Sequence, residues 1–281
     1  MIIIDPELVA GARRGSRAAL EALVGAIQGT IFNLSMRMLA NGADAEDATQ
    51  EILIKIITNL AALRDDAAAG GWAFRIACRH LVHERRRGRI EAQRLTFRRF
   101  AADLEDGLEE LADDSAADPD MMIAVEEVKI GCTLALTTCL SRKFRAAYIP
   151  GEIFEMTDRE AAQALDISPA AYRQRLHRAR ALISRFMQLR CGLVTSSAPC
   201  RCDRRVRAAL RLGRVVMGQK TAGVPSGRGS DIASIRRTVA QLEGARAAAA
   251  VMRSNPTFTS DVGQLVLRVI GAEGSGAAPG Q

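Results

Sequence analysis

The chain has 281 residues, a formal charge of +7 and 48% hydrophobic residues, with a pI near 9.5; it can bury at least one core, and its basic balance favours a polyanionic partner through counterion release. Aromatics are 4% of the chain, so a stacking platform for single strands would rest on a few residues. No apolar run approaches the roughly 20 residues of a membrane-spanning helix, and six dispersed cysteines do not form a small secreted framework, so a soluble cytoplasmic protein with no membrane partner is expected.

From residue 6 to about residue 99 the pattern is helical, broken at NGADAED and DDAAAGG, and no strand-like alternation stands out. Residues 43–60 predict a helix with Asp44, Asp47, Gln50 and Glu51 on one side and Ile52, Ile56, Ile57 and Leu60 on the other. One face is core and the other acidic. Residues 72–87 predict a second helix headed by Trp72. Along it Arg75, Arg79, His83 and Arg86 recur at spacings of three and four, flanked by His80 and Arg87, while Phe74, Ala77 and Leu81 can pack inward. Trp72 suits either a stacking or a core role.

The stretch DLEDGLEELADDSAADPD has few large apolar residues and reads as an acidic linker with at most one short helix. Helical pattern resumes over 121–140 and again around 142–154. Next comes MTDREAAQALDISPAAYRQRLHRARALI. Thr157 with Glu160 forms a capping-box pattern, Asp-Ile-Ser supplies a turn, and Ser168 with Pro169 starts another helix. That is a helix-turn-helix, with Tyr172, Leu176, Ala179 and Ile183 able to face inward and Arg173, Arg175, Arg178 and Arg180 around the outer side. Three cysteines follow, Cys191, Cys200 and Cys202, within twelve residues. They read either as incidental thiols or as a zinc or redox segment, a tetrahedral site needing His177, Cys132 or Cys139 as a fourth ligand. A basic segment, DRRVRAALRLGRVV, follows; the Gly-, Ser- and Lys-containing stretch after it, to about residue 230, reads as flexible, and 231–252 carries Ile232, Ile235, Val239 and Leu242 on one helical face.

The order of these parts resembles the extracytoplasmic-function (ECF) group of the sigma-70 family, bacterial promoter-recognition subunits of RNA polymerase. DAEDATQEILIKIITNL looks like the polymerase-binding helix of region two, GGWAFRIACRHLVHERRRGR like the promoter-melting helix, and the helix-turn-helix like region four. The resemblance spans about residues 32–186. It implies an all-α protein with a region-two domain over 6–99, an acidic linker over 100–120 and a region-four domain over 121–189; outside it, the residue pattern reads as a cysteine-containing basic linker over 190–230, a small helical extension over 231–270 and a disordered tail over 271–281.

The resemblance also implies roles. Asp44, Asp47, Gln50 and Glu51 would bind core RNA polymerase, whose family contacts are the beta-prime clamp helices and the beta flap. Trp72, Arg75, Arg79, His80, His83, Arg86 and Arg87 would engage the minus-ten element, and Ser168, Ala171, Tyr172, Arg173, Arg175 and Arg178 the minus-thirty-five element. An anti-sigma factor is a further family partner, no cofactor is required, and some members carry cysteine-rich extensions that respond to metal or redox state. The chain departs from the family at His80, usually Asn, at Glu84, usually Asp, and at Tyr172, within a usual Thr-Val pair; altered promoter preference is expected.

No Gly-rich phosphate loop, His-Glu-x-x-His or nucleophile-elbow pattern points to an enzyme. The rival readings are a stand-alone helix-turn-helix regulator and, further off, a helical adaptor. The acidic helix followed by a basic helix is what a repressor would not need. From its position alone, the segment beyond residue 231 reads as a docking or autoinhibitory unit.

Overall fold

The computed structural model describes residues 2–83, 95–108, 118–220 and 232–274, with side chains to residue 268. Among these residues the regular elements are helices, joined by one isolated bridge between Cys191 and Cys200. The fold is all-α as expected.

Four helices begin the chain: α1 (Pro6–Arg13), α2 (Arg17–Leu39), α3 (Gly42–Thr58) and α4 (Ala69–His83). Local chemistry starts each of the first three. Asp5, Ser16 and Asn41 accept hydrogen bonds from first-turn amides, satisfying donors that have no intrahelical partner. Leu23, Ile27 and Ile31 of α2, Ile52 and Ile56 of α3, and Phe74 and Ala77 of α4 close a first core. By length and composition α2 is long and apolar enough to cross a membrane, which corrects the expectation that no such run exists. Its apolar residues recur around the helix because it feeds two clusters: Ile27, Ile31 and Leu34 in the first core, Phe32 and Met36 against Ile130, Leu134 and Phe258.

The expected linker over 100–120 is in part a helix, α5 (Phe97–Asp106), capped by Thr96. Phe100 and Leu104, four apart, are buried, and Phe100 stacks on Phe186 at 5.5 Å. Two well-placed apolar residues outweigh an acidic composition. Residues 109–117 of the linker reading lie outside the described residues. Then come α6 (Pro119–Cys139) and α7 (Arg142–Tyr148), the latter running into a π-type turn, Ile149–Ile153. Pro150 brings no N–H to the helical ladder, which accounts for the widened turn inside the expected 142–154 helix.

The helix-turn-helix is α8 (Asp158–Leu165) and α9 (Pro169–Arg190). The Thr157–Glu160 capping box is formed in both directions, at 3.3 and 2.9 Å. Asp166 takes the left-handed conformation at the turn, φ 57°, and Ser168 caps α9.

The cysteine-containing basic segment packs on the fold: α10 (Val206–Arg211) buries Val206 completely, and Arg205 is 5% exposed, while 211–219 are exposed apart from Val215. Arg205 donates to the Asp103 carbonyl and carboxylate, anchoring the segment on α5. Residues 221–230 of the stretch expected to be flexible, and the 275–281 part of the tail, lie outside the described residues. The expected 231–252 helix divides into α11 (Ile232–Ala240) and α12 (Gly244–Arg253), with Gly244 at φ 53°. A last helix, α13 (Val262–Gly274), returns to the first core, where Val266 is fully buried.

The two domains expected from sequence share that core. Ala146, Ile149 and Ala164, from α7, the π-turn and α8, belong to the cluster built by α2, α3 and α4. A second core joins α5, α6, α9, α11 and α12 through Phe100, Leu136, Ile183, Met187, Ile235 and Val251.

Candidate nucleic-acid interface

The acidic face of α3 follows from helical period. Ala45, Ala48, Ile52 and Ile56 are at most 1% exposed, which turns Asp47 and Glu51 to solvent and leaves Asp44 and Gln50 half-buried. Asn41 caps this helix through Asp44 N at 3.0 Å, and carboxylates near a helix N-terminus are favourably placed against its dipole.

On α4, Ala73, Phe74, Ala77 and Leu81 go inward. Arg75 is half-buried, Arg79 and His83 are exposed, and His83 Nδ1 lies 2.9 Å from the Arg79 carbonyl oxygen. Trp72 is half-buried and packed against the first core. Gly70 has a local reason: a Cβ there would stand 1.9 Å from the Ile2 carbonyl oxygen, so the N-terminal segment needs glycine to lie against the start of α4. His80 does not join the exposed stripe. It is 6% exposed, with Lys55 Nζ 2.7 Å from Nδ1 and Glu51 3.6 Å from Nε2. A Lys ammonium has only donors, so Nδ1 accepts and the ring ties α4 to α3. Its side chain points toward α3 instead of outward. Arg86 and Arg87 lie outside the described residues.

On α9, Arg173 and Arg178 are exposed and Arg175 and Ala171 half-buried. Ser168 is the cap, its Oγ 3.2 Å from Ala171 N. Tyr172 is a correction: it is 0% exposed, and its hydroxyl donates to the Ala147 carbonyl at 3.1 Å. It seats α9 on α7 and cannot reach a groove. Gly151 makes the room, since a Cβ there would meet the Tyr172 hydroxyl at 2.4 Å. Arg173 faces Asp158 at 3.9 Å, and Arg180 donates to Glu152 at 2.6 Å.

Cys191, Cys200 and Cys202 line one cavity of about 690 Å³, and the fold brings Cys132 of α6 to it. Cys139 and His177 do not line it. Burial pushes Cys200 up to about 11 and raises Cys132, Cys191 and Cys202 as well. Among the described residues no group of three His, Cys, Asp or Glu side chains is placed to hold a metal ion.

Sequence reasoning missed the groups that lock these surfaces together. Arg145, 5% exposed, donates to the carbonyls of Thr137, Met38, Thr138 and Leu140. Lys129, 1% exposed, donates to the Ser254 carbonyl at 2.9 Å. For Lys129 the available signal was the apolar run that follows it, GCTLAL after Lys129-Ile130, which makes it the last charge of α6. None marked Asn33, which exchanges two hydrogen bonds with the backbone of Phe258.

Residues 23–90, the stretch that carries α3 and α4, match the sigma-70 region 2 family. The chain is 36% identical over 87 residues to RNA polymerase sigma-H factor of Pseudomonas aeruginosa, covering 30% of this chain and 45% of that protein. It is 26% identical over 170 residues to ECF RNA polymerase sigma factor SigE of Mycolicibacterium smegmatis, covering 60% of this chain and 61% of that protein. The chain thus spans less than two thirds of the length of these relatives. The resemblance to the ECF group of the sigma-70 family, read from the motifs, is borne out by these matches.

Proposed function

We propose that the chain is an RNA polymerase sigma factor of ECF type, directing promoter-specific initiation while the polymerase performs the chemistry. What carries the reading is that one segment, matching sigma-70 region 2, holds both the acidic face of α3 and the basic stripe of α4. Asp47 and Glu51, with Asp44 and Gln50 beside them, offer acceptors to a basic helical surface, the beta-prime clamp helices of core polymerase; the beta flap is the second contact. Arg75, Arg79 and His83 hold phosphates of the minus-ten element while its bases leave the stack, with half-buried Trp72 as a stacking surface. Arg173 and Arg178 on α9 enter a major groove at the minus-thirty-five element, where a guanidinium pairs with guanine O6 and N7 or grips a phosphate. Tyr172 supports this helix from below. His80 acts through α3 and α4, not through DNA.

The test is transcription in vitro with core RNA polymerase on a pool of genomic fragments, with start sites mapped. Discrete chain-dependent starts that vanish when Asp47 and Glu51 are both changed to Ala are expected. Absence of any such start, together with tight sequence-specific duplex binding by the chain alone, would establish the stand-alone regulator in its place.

A further inference from the structure

The two surfaces assigned to promoter elements touch each other. Arg79 of α4 bonds Asp166, in the turn between α8 and α9, at 2.6 Å, and Arg142 of α7 donates to the Val82 carbonyl at 3.0 Å. The Phe74 ring of α4 meets Phe154 edge-on at 5.8 Å. The Arg79–Asp166 pair is half or more exposed on both sides, and such pairs hold little on their own.

A more continuous connection runs along residues 253–267. Arg253 donates to the Glu152 carbonyl at 2.9 Å, next to the helix-turn-helix. Ser254 receives Lys129, and Asn255 donates to Thr133 at 2.8 Å, both on α6. The chain then reaches α2. Phe258 is fully buried among Phe32, Met36, Ile130 and Leu134, its N–H donates to Asn33 Oδ1 at 2.8 Å, and Asn33 Nδ2 donates to its carbonyl at 2.7 Å. A side-chain amide reading both backbone groups of one buried residue fixes a single register. Beyond it, α13 lies so close to α2 that a Cβ at Gly263 would stand 3.0 Å from Val24 Cγ1 and 1.9 Å from Gln28 Oε1.

We infer that residues 253–267 are an intramolecular strap seated in a groove of α2 and α6, which holds the minus-ten and minus-thirty-five readers in contact and must release before both can engage one promoter. The geometry sets the requirement. Elements about 25 base pairs apart lie roughly 85 Å apart along a duplex at about 3.4 Å per base pair. Here α4 and the helix-turn-helix share one core, Phe74 and Ala77 with Ala164, and lie within an ion pair of each other. One rigid body of this shape cannot span both sites. The acidic face of α3 stays at the surface meanwhile, with Asp47 and Glu51 exposed, so core polymerase can be met before opening. The regulatory half of this inference rests on the sigma reading; the strap itself does not.

The test uses the full chain and three variants, Asn33→Ala, Phe258→Ala and Gly263→Leu, checked for retained helix content by circular dichroism. X-ray scattering should give wild type a radius of gyration near the roughly 19 Å of a compact chain of this length, and a larger value for the variants. Hydrogen exchange should quicken in α4 and α8 while α2 and α3 stay protected. Transcription from a mapped promoter should rise about 5-fold or more, the lower end of coupling between linked sites. Unchanged scattering and exchange in all three variants would overturn the strap. Expansion with unchanged or lower transcription would overturn its restraining role. Expansion without a core-dependent transcript from any form would keep the strap and remove the sigma reading instead.

Discussion

Arg145 is the sharpest test of how the fold is held. Its guanidinium is buried and donates to four carbonyls: Thr137 at 3.0 Å, Thr138 at 3.0 Å and Leu140 at 3.3 Å at the end of α6, and Met38 at 2.6 Å near the end of α2. Helix C-termini leave carbonyls without intrahelical donors and carry partial negative charge, so one cation answers two helices. Replacing Arg145 by Met keeps much of the volume and leaves those acceptors without it. Hydrogen bonds to charged groups contribute about 1.5–3 kcal/mol each, but a simple sum overshoots, because removing the guanidinium also removes its burial cost. The expected loss is about 3–5 kcal/mol, as for breaking other buried charged networks. Arg145→Lys keeps the charge without the planar fork and should lose roughly half as much. Urea unfolding followed by far-UV circular dichroism measures both, with an unchanged m-value showing that compactness is preserved. A loss below about 1 kcal/mol for Arg145→Met would refute the reasoning.

Three further outcomes are expected. Hydrogen bonds from Arg214 hold the Asp103 carboxyl below its ordinary value; a depressed carboxylate stabilises the fold fully above its unfolded value of about 4 and loses that contribution as pH falls through the folded one. Asp103→Asn should therefore flatten the acid side of the stability profile, and parallel profiles for variant and wild type would contradict the assignment. Burial pushes Cys78 up to about 12 and Cys200 up to about 11, so alkylation of the native chain at neutral pH should run roughly 10²-fold slower than after unfolding; rapid native modification of Cys200 would show the segment to be open. Changing Arg173 or Arg178 to Ala should weaken binding to a mapped promoter and, where the residue grips a phosphate, lower the salt slope by about 1 each, measured by titration at several salt concentrations; unchanged affinity and slope in both would take α9 out of the DNA interface.

What the sequence made legible was what local chemistry decides. The Asp47–Glu51 face of α3, the Thr157 capping box and the Ser168–Pro169 start of α9 depend on neighbours within a turn, and the structure contains each of them. Tyr172 divides the two kinds of reading: its spacing with Leu176, Ala179 and Ile183 turned it inward, as the structure has it, while the groove contact implied by the resemblance is excluded by its seat against Gly151 and the Ala147 carbonyl. His80 went inward because Lys55 on α3 supplied a donor, a pairing 25 residues away. The acidic composition around α5 concealed Phe100 and Leu104, and the basic composition around α10 concealed an Arg205 that binds α5 from 102 residues away. Asn33 and Phe258 meet across 225 residues, and nothing local distinguishes either from an ordinary helix or loop residue.

The most direct measurement is the affinity of the full chain for purified core RNA polymerase, by titration at moderate salt, for wild type and for the Asp47→Arg, Glu51→Arg double variant. Saturable one-to-one binding that weakens at least about 10-fold on charge reversal, with Arg173→Ala binding core as well as wild type does, is the predicted result. A chain that fails to bind core polymerase even at low salt, or binds it equally well after reversal of both charges, would contradict the account.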